Sequence, residues 1–170
     1  DVFWAVFDRV MERDGRADNA LFDEFYQREF QKSRNSCGFQ PAAAPAVREI
    51  RDMGYLVILA TNPLFPAIAT QSRIRWAGLE PEDFECITTY ENARYCKPNP
   101  DYYREILGKL NLDPGDCLMV GNDVDEDMVV ETLGMKAFLL TDCLINRNQA
   151  DISRYPSGGF PELLQYVRSL

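Results

Sequence analysis

Apolar residues follow two helical stripes near the start of the chain. The first stripe consists of Phe3, Val6, Phe7, Val10 and Met11. The second consists of Leu21, Phe22, Phe25, Tyr26 and Phe30. Spacings of three and four residues predict two amphipathic helices, separated by the polar stretch that follows Gly15. We expect the rings of Trp4, Phe22, Phe25 and Tyr26 to form a core between these helices.

The pattern changes after the breaker-rich residues 38–45 and becomes an alternation of helix and strand. The predicted helices are Ala46–Met53, Leu64–Ala77, Pro100–Leu110, Val124–Leu133 and Phe160–Ser169. The predicted strands are Tyr55–Ala60, Glu85–Thr89, Cys117–Val120 and Lys136–Leu140. The continuous apolar run of the first strand is typical of a strand buried on both faces. The rhythm predicts an α/β fold, a Rossmann-like parallel sheet with flanking helices.

The amino-acid composition argues against two classes of binding partner. The chain has 170 residues, of which 27 are acidic and 18 basic, for a net charge of −9. Because phosphate backbones repel such a surface, we expect no nucleic-acid partner. No apolar run approaches the ~18 residues that would cross a membrane, so we expect no membrane partner either.

Cysteine and histidine usage narrows the chemistry further. The five cysteines are widely spread and form no Cys-x-x-Cys pair, which is typical of reduced thiols in a cytoplasmic protein. There is no histidine, which excludes Ser-His and Cys-His nucleophilic pairs and zinc-histidine sites. Acid–base chemistry must come from carboxylates, lysine or tyrosine.

Polar residues follow two of the predicted strands. Thr61 and Asn62 come after the first strand, and Asn122 and Asp123 come after the third. Ligands of open parallel sheets bind beyond the carboxyl ends of the strands, so both pairs belong to one rim. Thr61 either binds a phosphoryl oxygen or caps the following helix. Lys97 stands in the proline-flanked loop Lys97-Pro98-Asn99-Pro100, which would hold its ammonium in place.

The acidic cluster at Asp123, Asp125, Glu126 and Asp127 is the most specific signal. Carboxylates in the first turn of a helix gain ~0.3–1 kcal/mol each from the helix dipole. Asp123 and Asp127 would also share one helix face, where they repel unless a cation joins them. Mg²⁺ takes one or two carboxylates together with substrate phosphate oxygens.

Two other cation sites do not match. An EF-hand loop beginning at Asp123 would need Gly at its sixth position and Glu at its twelfth, where this chain has Met128 and Gly134. Receiver domains place their acids before the Thr and Lys, whereas here Thr61 and Lys97 precede the acids.

Three segments carry a resemblance to a known family: Thr61-Asn62, the Lys97-Pro98-Asn99-Pro100 loop, and Asn122 to Asp127. In this order and spacing they resemble the second, third and fourth motifs of the haloacid dehalogenase superfamily, whose members are mostly Mg²⁺-dependent phosphohydrolases. The resemblance implies that Thr61, Asn62 and Lys97 bind phosphate. It implies that Lys97 and Asp123 are catalytic, and that Asp123 and Asp127 hold Mg²⁺. It also implies that residues 1–40 are the end of a helical cap and residues 41–170 a core domain, acting on a small phosphorylated metabolite.

This chain departs from the family pattern in two places. The fourth motif often begins Gly-Asp, but here Asn122 follows the glycine, which leaves open which of Asn122, Asp123 and Asp127 meets the metal. The first motif, a strand ending in the nucleophilic Asp-x-Asp, is absent. Asp8 follows apolar residues, but the helical period of its segment argues against a strand there.

The missing strand would lie between the strands that end at Thr61 and Val120. Without it, two apolar strand edges would face a gap. We therefore expect additional N-terminal residues that carry the strand and an aspartate able to form an aspartyl-phosphate. We expect this chain alone to be inactive and marginally stable or prone to aggregation.

Two alternatives remain: a non-catalytic phosphate-binding or regulatory protein of the same fold, and a mutase or dehalogenase. The acidic cluster argues against dehalogenases, which need no Mg²⁺. The segment Thr141–Arg147 also follows a predicted strand, at the end that belongs to the rim, but the sequence assigns it no role.

Overall fold

A computed structural model describes residues 2–12 and 14–170. The side chains of Val2 and Phe3 lie outside that description, so the place of Phe3 in the first apolar stripe stays a prediction. The α-helices are α1 (Val2–Met11), α2 (Asn19–Gln27), α3 (Ala43–Asp52), α4 (Ala67–Trp76), α5 (Pro100–Leu110) and α6 (Phe160–Val167). The strands are β1 (Ile58–Leu59), β2 (Cys86–Ile87), β3 (Leu118–Gly121), β4 (Lys136–Leu140) and β5 (Ser157–Gly158). Short 3₁₀ helices cover Gly15–Asp18, Phe30–Ser36, Pro81–Asp83, Pro114–Asp116 and Met128–Leu133.

The strands form two parallel sheets. One pairs β1 with β2, and the other has the order β3-β4-β5. The α/β class with parallel sheets and flanking helices is therefore confirmed. The largest core cluster includes Tyr102 and Tyr103 of α5, Met119 of β3 and Leu139 of β4, and Ile58 of β1 packs against it.

β1 is shorter and more exposed than its sequence predicts. The expectation of a strand over Tyr55–Ala60 buried on both faces is wrong: only Ile58 and Leu59 join a ladder, and Tyr55 and Leu56 are exposed. Among the residues described, no strand pairs with the second edge of β1 or with the outer edge of β3. Tyr55 and Leu56 instead line an open groove together with Leu118 and Val120 of β3.

The acidic cluster does not begin an α-helix. The expectation of a helix over Val124–Leu133 is wrong, because residues 124–127 form a turn and a 3₁₀ helix follows. The carboxylates of Asp123 and Asp127 accept hydrogen bonds from backbone N–H groups inside the turn, and this local bonding competes with helix formation. Asp123 and Asp127 therefore do not share a helix face.

Prolines delay the start of α4. A helix was expected from Leu64, but it begins at Ala67, directly after Pro66. A proline fixes its own φ and disfavours helical geometry in the residue before it, so Pro63 and Pro66 keep this segment out of the helix.

The two N-terminal helices pack through their aromatic rings, as expected. Phe22 makes edge-to-face contacts with Phe7 and Trp4, with ring centroids 5.9 and 6.2 Å apart. Phe25 touches Tyr26 but is 46% exposed, so its assignment to a buried core is wrong. Asp8 lies in α1, where its carboxylate accepts a hydrogen bond from the Gly15 N–H at 2.7 Å.

A stacked pair joins this N-terminal region to the rest of the molecule. The ring of Phe30 lies 5.4 Å from that of Trp76 on α4, with 27° between the planes. The side-chain amide of Gln31 donates to the Ser72 hydroxyl at 3.0 Å. None of the helices described for residues 2–12 and 14–170 has the length and hydrophobicity needed to cross a bilayer.

Candidate active site

A buried ion pair lies at the centre of the rim. The Nζ atom of Lys97 is 2.6 Å from Oδ1 of Asp127, and the two side chains are only 7% and 6% exposed. Oδ2 of Asp127 accepts hydrogen bonds from the N–H groups of Asn122 and Asp123, both at 3.0 Å. Both carboxylate oxygens of Asp127 are therefore engaged, and the pair ties the Lys97 loop to the end of β3. Burial of two charges is tolerated here because each has a partner.

Gly121 makes room for this carboxylate. A Cβ atom at position 121 would overlap the side chain of Asp127. The glycine at the end of β3 is therefore required by the close approach of Asp127 to the backbone.

Two buried tyrosines of α5 lie beside Lys97 and donate hydrogen bonds to backbone carbonyls at the rim. Lys97 Nζ lies 5.9 Å from the ring centre of Tyr102 and 5.7 Å from that of Tyr103. The Tyr102 hydroxyl donates to the Thr61 carbonyl at 2.7 Å, and the Tyr103 hydroxyl donates to the Glu126 carbonyl at 2.8 Å. Adjacent residues of one helix thus connect the end of β1 with the turn after β3.

Burial raises the pKa of both tyrosines. For Tyr102, removal from water is the largest cause. For Tyr103, burial comes first and the nearby charge of Asp127 adds to it. Both phenols therefore remain protonated donors at physiological pH, as their two carbonyl partners require.

Asp123 lies beside the ion pair with a different set of partners. Its Oδ1 accepts from the N–H groups of Asp125 and Glu126 at 3.0 and 3.1 Å. Its Oδ2 accepts from the guanidinium of Arg147 at 2.8 Å. The side chain is 8% exposed, whereas that of Arg147 is 62% exposed.

Asn62 reaches the acidic turn from the other sheet. Its amide nitrogen lies 3.4 Å from a carboxylate oxygen of Glu126. Its amide oxygen is buried and has no hydrogen-bond partner among the described residues. A buried acceptor without a partner is costly for the fold, and this oxygen has the capacity to accept a further hydrogen bond.

Thr61 is the least centrally placed of the expected residues. Its carbonyl accepts from Tyr102, as above, and from the hydroxyl of Thr88 at 2.7 Å. Thr61 is also one of the residues that line a cavity of about 200 Å³ beside α4, together with Thr70 and Arg73. The structure thus groups Asn62, Lys97, Asp123 and Asp127, and connects Thr61 to them through its backbone.

Three contacts were missed from the sequence alone. Tyr102 and Tyr103 lie within the predicted helix Pro100–Leu110, for which the sequence pattern predicts no part in the site, although a Tyr-Tyr pair shortly after the lysine loop is a visible signal. Arg147 stood in a segment that was noted without a role. Its pairing with Asp123 depends on the path of the chain after β4, which no local pattern specifies.

The fold is that of a Rossmann-like α/β protein with parallel strands. A buried lysine and two carboxylates form a charged site at the rim beyond the carboxyl ends of these strands. Comparison of the sequence with models of known protein families identifies one family. The family model of haloacid dehalogenase-like hydrolases matches residues 7–129, and this chain belongs to that family.

The chain is similar to several characterised or solved proteins. It is 25% identical over 121 residues to the phosphoglycolate phosphatase of Vibrio vulnificus, covering 71% of this chain and 50% of that protein. Among solved structures, a HAD phosphatase from Thermococcus onnurineus has a TM-score of 0.64 at 21% identity, covering 96% of this chain and 70% of that one. The hydrolase YfnB of Bacillus subtilis, solved bound to magnesium, has a TM-score of 0.59 at 16% identity, covering 72% and 53%. The chain thus spans about half the length of that Vibrio relative.

The residues present suit a magnesium ion. Among the described residues, no three His, Cys, Asp or Glu side chains converge as a complete ligand set. Mg²⁺ does not require one, because it binds through one or two carboxylates and keeps several waters. Asp123 offers such a carboxylate, and the unpartnered oxygen of Asn62 adds a hard ligand in the same region.

Proposed function

We propose that this chain is part of a Mg²⁺-dependent phosphohydrolase that acts on a small phosphorylated metabolite. The observation that carries the proposal is the buried Lys97–Asp127 pair at the ends of the parallel strands, with Asp123 and Asn62 beside it. Family membership and relatives named as phosphatases support the same reaction class.

Each rim residue has a role in this proposal. The hydroxyl of Thr61 and the backbone N–H of Asn62 donate to oxygens of the transferring phosphoryl group. Lys97 neutralises negative charge on the nucleophile and the phosphate, while Asp127 fixes the position of its ammonium. Asp123 would hold Mg²⁺, with Asp127 in support, and the ion would supply further charge neutralisation at the phosphate.

The nucleophile is proposed to be an aspartate at the end of a strand seated between β1 and β3. Both strands have an unpaired edge there among the described residues. An apolar groove of about 360 Å³ also lies between the start of β1 and the edge of β3; its lining includes Tyr55, Leu56, Leu118 and Val120. A strand in this position would pair both edges and bring its last residue to Lys97.

The covalent step follows from that placement. An oxygen of the aspartate attacks phosphorus, the bond to the leaving oxygen breaks, and the leaving oxygen takes a proton from solvent water. Water then attacks the aspartyl-phosphate, which releases inorganic phosphate and restores the carboxylate. We propose that the chain without this aspartate is inactive.

The domain division also remains a proposal: residues 1–40 belong to a cap and residues 41–170 to the core. A small cavity of about 80 Å³ supports a cap placed over the core, because it is lined by Trp4, Phe22 and Tyr26 on one side and Pro66 and Tyr90 on the other. The five free cysteines support a cytoplasmic location.

The test uses the full-length protein with p-nitrophenyl phosphate and a panel of phosphorylated metabolites, with and without Mg²⁺. We expect Mg²⁺-dependent turnover that Lys97→Ala and Asp123→Asn each abolish. Lys109→Ala, on an exposed face of α5, is the control and should retain activity. A folded protein without turnover on the whole panel would contradict the proposal and favour a non-catalytic phosphate-binding protein.

A further inference from the structure

The segment that follows β4 lies along the acidic turn. We call residues 143–148 the rim strap. The strap forms a parallel bridge between Ile145 and Asp123. The Ile145 N–H donates to the Asn122 carbonyl at 2.8 Å, and the Val124 N–H donates to the Ile145 carbonyl at 3.0 Å. The strap therefore fixes the backbone of the turn that carries Asp123.

Arg147 of the rim strap reaches a carboxylate oxygen that a metal ion would need. Oδ1 of Asp123 is already engaged by two backbone N–H groups within the turn. Oδ2 is the remaining oxygen, and the Arg147 guanidinium lies 2.8 Å from it. Two cations on one carboxylate oxygen repel each other, so a divalent ion and Arg147 compete for this atom.

Lys97 and Arg147, the two basic side chains of the site, differ in how easily each can separate from its carboxylate partner. Lys97 is 7% exposed and is enclosed by Tyr102, Tyr103 and Asp127. Its removal would leave a buried charge without a partner. Arg147 is 62% exposed on a long side chain, and exposed ion pairs of this kind are weak.

We propose that Arg147 is an exchangeable counter-ion of Asp123. In the absence of a divalent ion it neutralises the carboxylate and keeps it in place, and a divalent ion displaces it from Oδ2. This role rests on the proposed function, in which Asp123 holds Mg²⁺. Arg147 is then a positioning residue with two effects. It holds the Asp123 carboxylate in place before the metal binds, and it lowers the affinity for the metal because it competes for Oδ2.

The test measures Mn²⁺ binding to the full-length protein by electron paramagnetic resonance of the free ion. Removing the competing charge with Arg147→Gln should tighten Mn²⁺ binding about two- to five-fold, as expected for loss of one exposed ion pair. Asn148→Ala is the matched control, because it removes the strap's hydrogen bond to Asp125 and leaves Asp123 untouched. It should bind Mn²⁺ like the wild type.

A purely structural role for Arg147 predicts the opposite result. Arg147→Gln would then melt at a lower temperature and bind Mn²⁺ equally well or more weakly, which would overturn the proposal. If Arg147→Gln fails to fold, an NMR titration of the wild-type protein with Mg²⁺ tests the proposal instead. Addition of Mg²⁺ should shift the side-chain NMR signal of Arg147 and leave that of Arg154, which pairs with Glu131, unchanged. An Arg147 signal that does not respond to a bound ion would overturn the counter-ion role.

The outcomes separate this inference from the proposed function. Mn²⁺ binding that is equal in the wild type and Arg147→Gln would contradict the counter-ion role alone. No Mn²⁺ binding to either protein would contradict both proposals. Binding to Arg147→Gln that exceeds binding to the wild type supports the counter-ion role.

Discussion

The ammonium of Lys97 lies 2.6 Å from Oδ1 of Asp127, and more than nine-tenths of each side chain is buried. This contact spans 30 positions of the sequence and joins the loop before α5 to the turn after β3. Removal of either partner would leave the other as a buried, uncompensated charge.

We therefore expect Asp127→Asn to destabilise the protein by about 3 kcal/mol, because it leaves the Lys97 charge without a partner. Equilibrium unfolding in urea measures this change. The control is Asp125→Asn, since Asp125 is exposed and its carboxylate accepts a hydrogen bond from the exposed side chain of Asn148; we expect a change within about 0.5 kcal/mol. Equal stabilities of the two variants would show that the pair contributes little.

Gly121→Ala should displace the Asp127 carboxylate, because the new Cβ would overlap it. We expect a loss of about 2 kcal/mol in unfolding free energy, in the range of overpacked sites. Gly108→Ala is a control of the same chemistry: it lies on the exposed face of α5, with no atom near the new Cβ. It should stabilise the helix by about 0.5–1 kcal/mol, and a similar loss in both variants would contradict the crowding argument.

The buried tyrosines predict a loss of stability in alkali. Burial raises the pKa of Tyr102 and Tyr103 in the folded state above the value of about 10 that tyrosine has when unfolded. Their contribution is therefore complete below pH ~10 and is lost as the pH rises, because the unfolded chain releases protons that the folded chain retains. Each should add about 1.4 kcal/mol per pH unit to the decline.

Urea unfolding at several pH values between neutrality and pH 11 tests this expectation. Tyr103→Phe should lower stability by about 1 kcal/mol at neutral pH, since the Glu126 carbonyl loses its donor, and should make the alkaline decline shallower. Tyr95→Phe changes an exposed ring and is the control, which should leave the stability at neutral pH unchanged. An unchanged slope in Tyr103→Phe would show that Tyr103 ionises freely in the folded protein.

Phe30→Ala should loosen the N-terminal helices from the core. Phe30 stacks on Trp76 and also touches Phe65, so its removal should cost about 2 kcal/mol of local stability. Limited proteolysis should then cleave within residues 1–40 faster than in the wild type. Leu21→Ala, at a position that is 64% exposed, should leave the rate unchanged and serves as the control.

The sequence by itself determined the fold class, because apolar periods of 3.6 residues and short continuous apolar runs are local properties that favour helices and strands. It also identified Asn62, Lys97, Asp123 and Asp127 as candidates, since polar residues after buried strands meet at one rim. Their individual roles remain predictions.

Only the tertiary structure decided which charges meet. Lys97 pairs with Asp127, and Arg147 pairs with Asp123, because the loops after β2 and β4 cross the end of β3. The same structure turned the expected acidic helix into a hydrogen-bonded turn and shortened β1, which lacks a neighbour on one edge among the described residues. Long-range pairing of side chains and strands depends on the path of the whole chain, and no local pattern of residues contains that information.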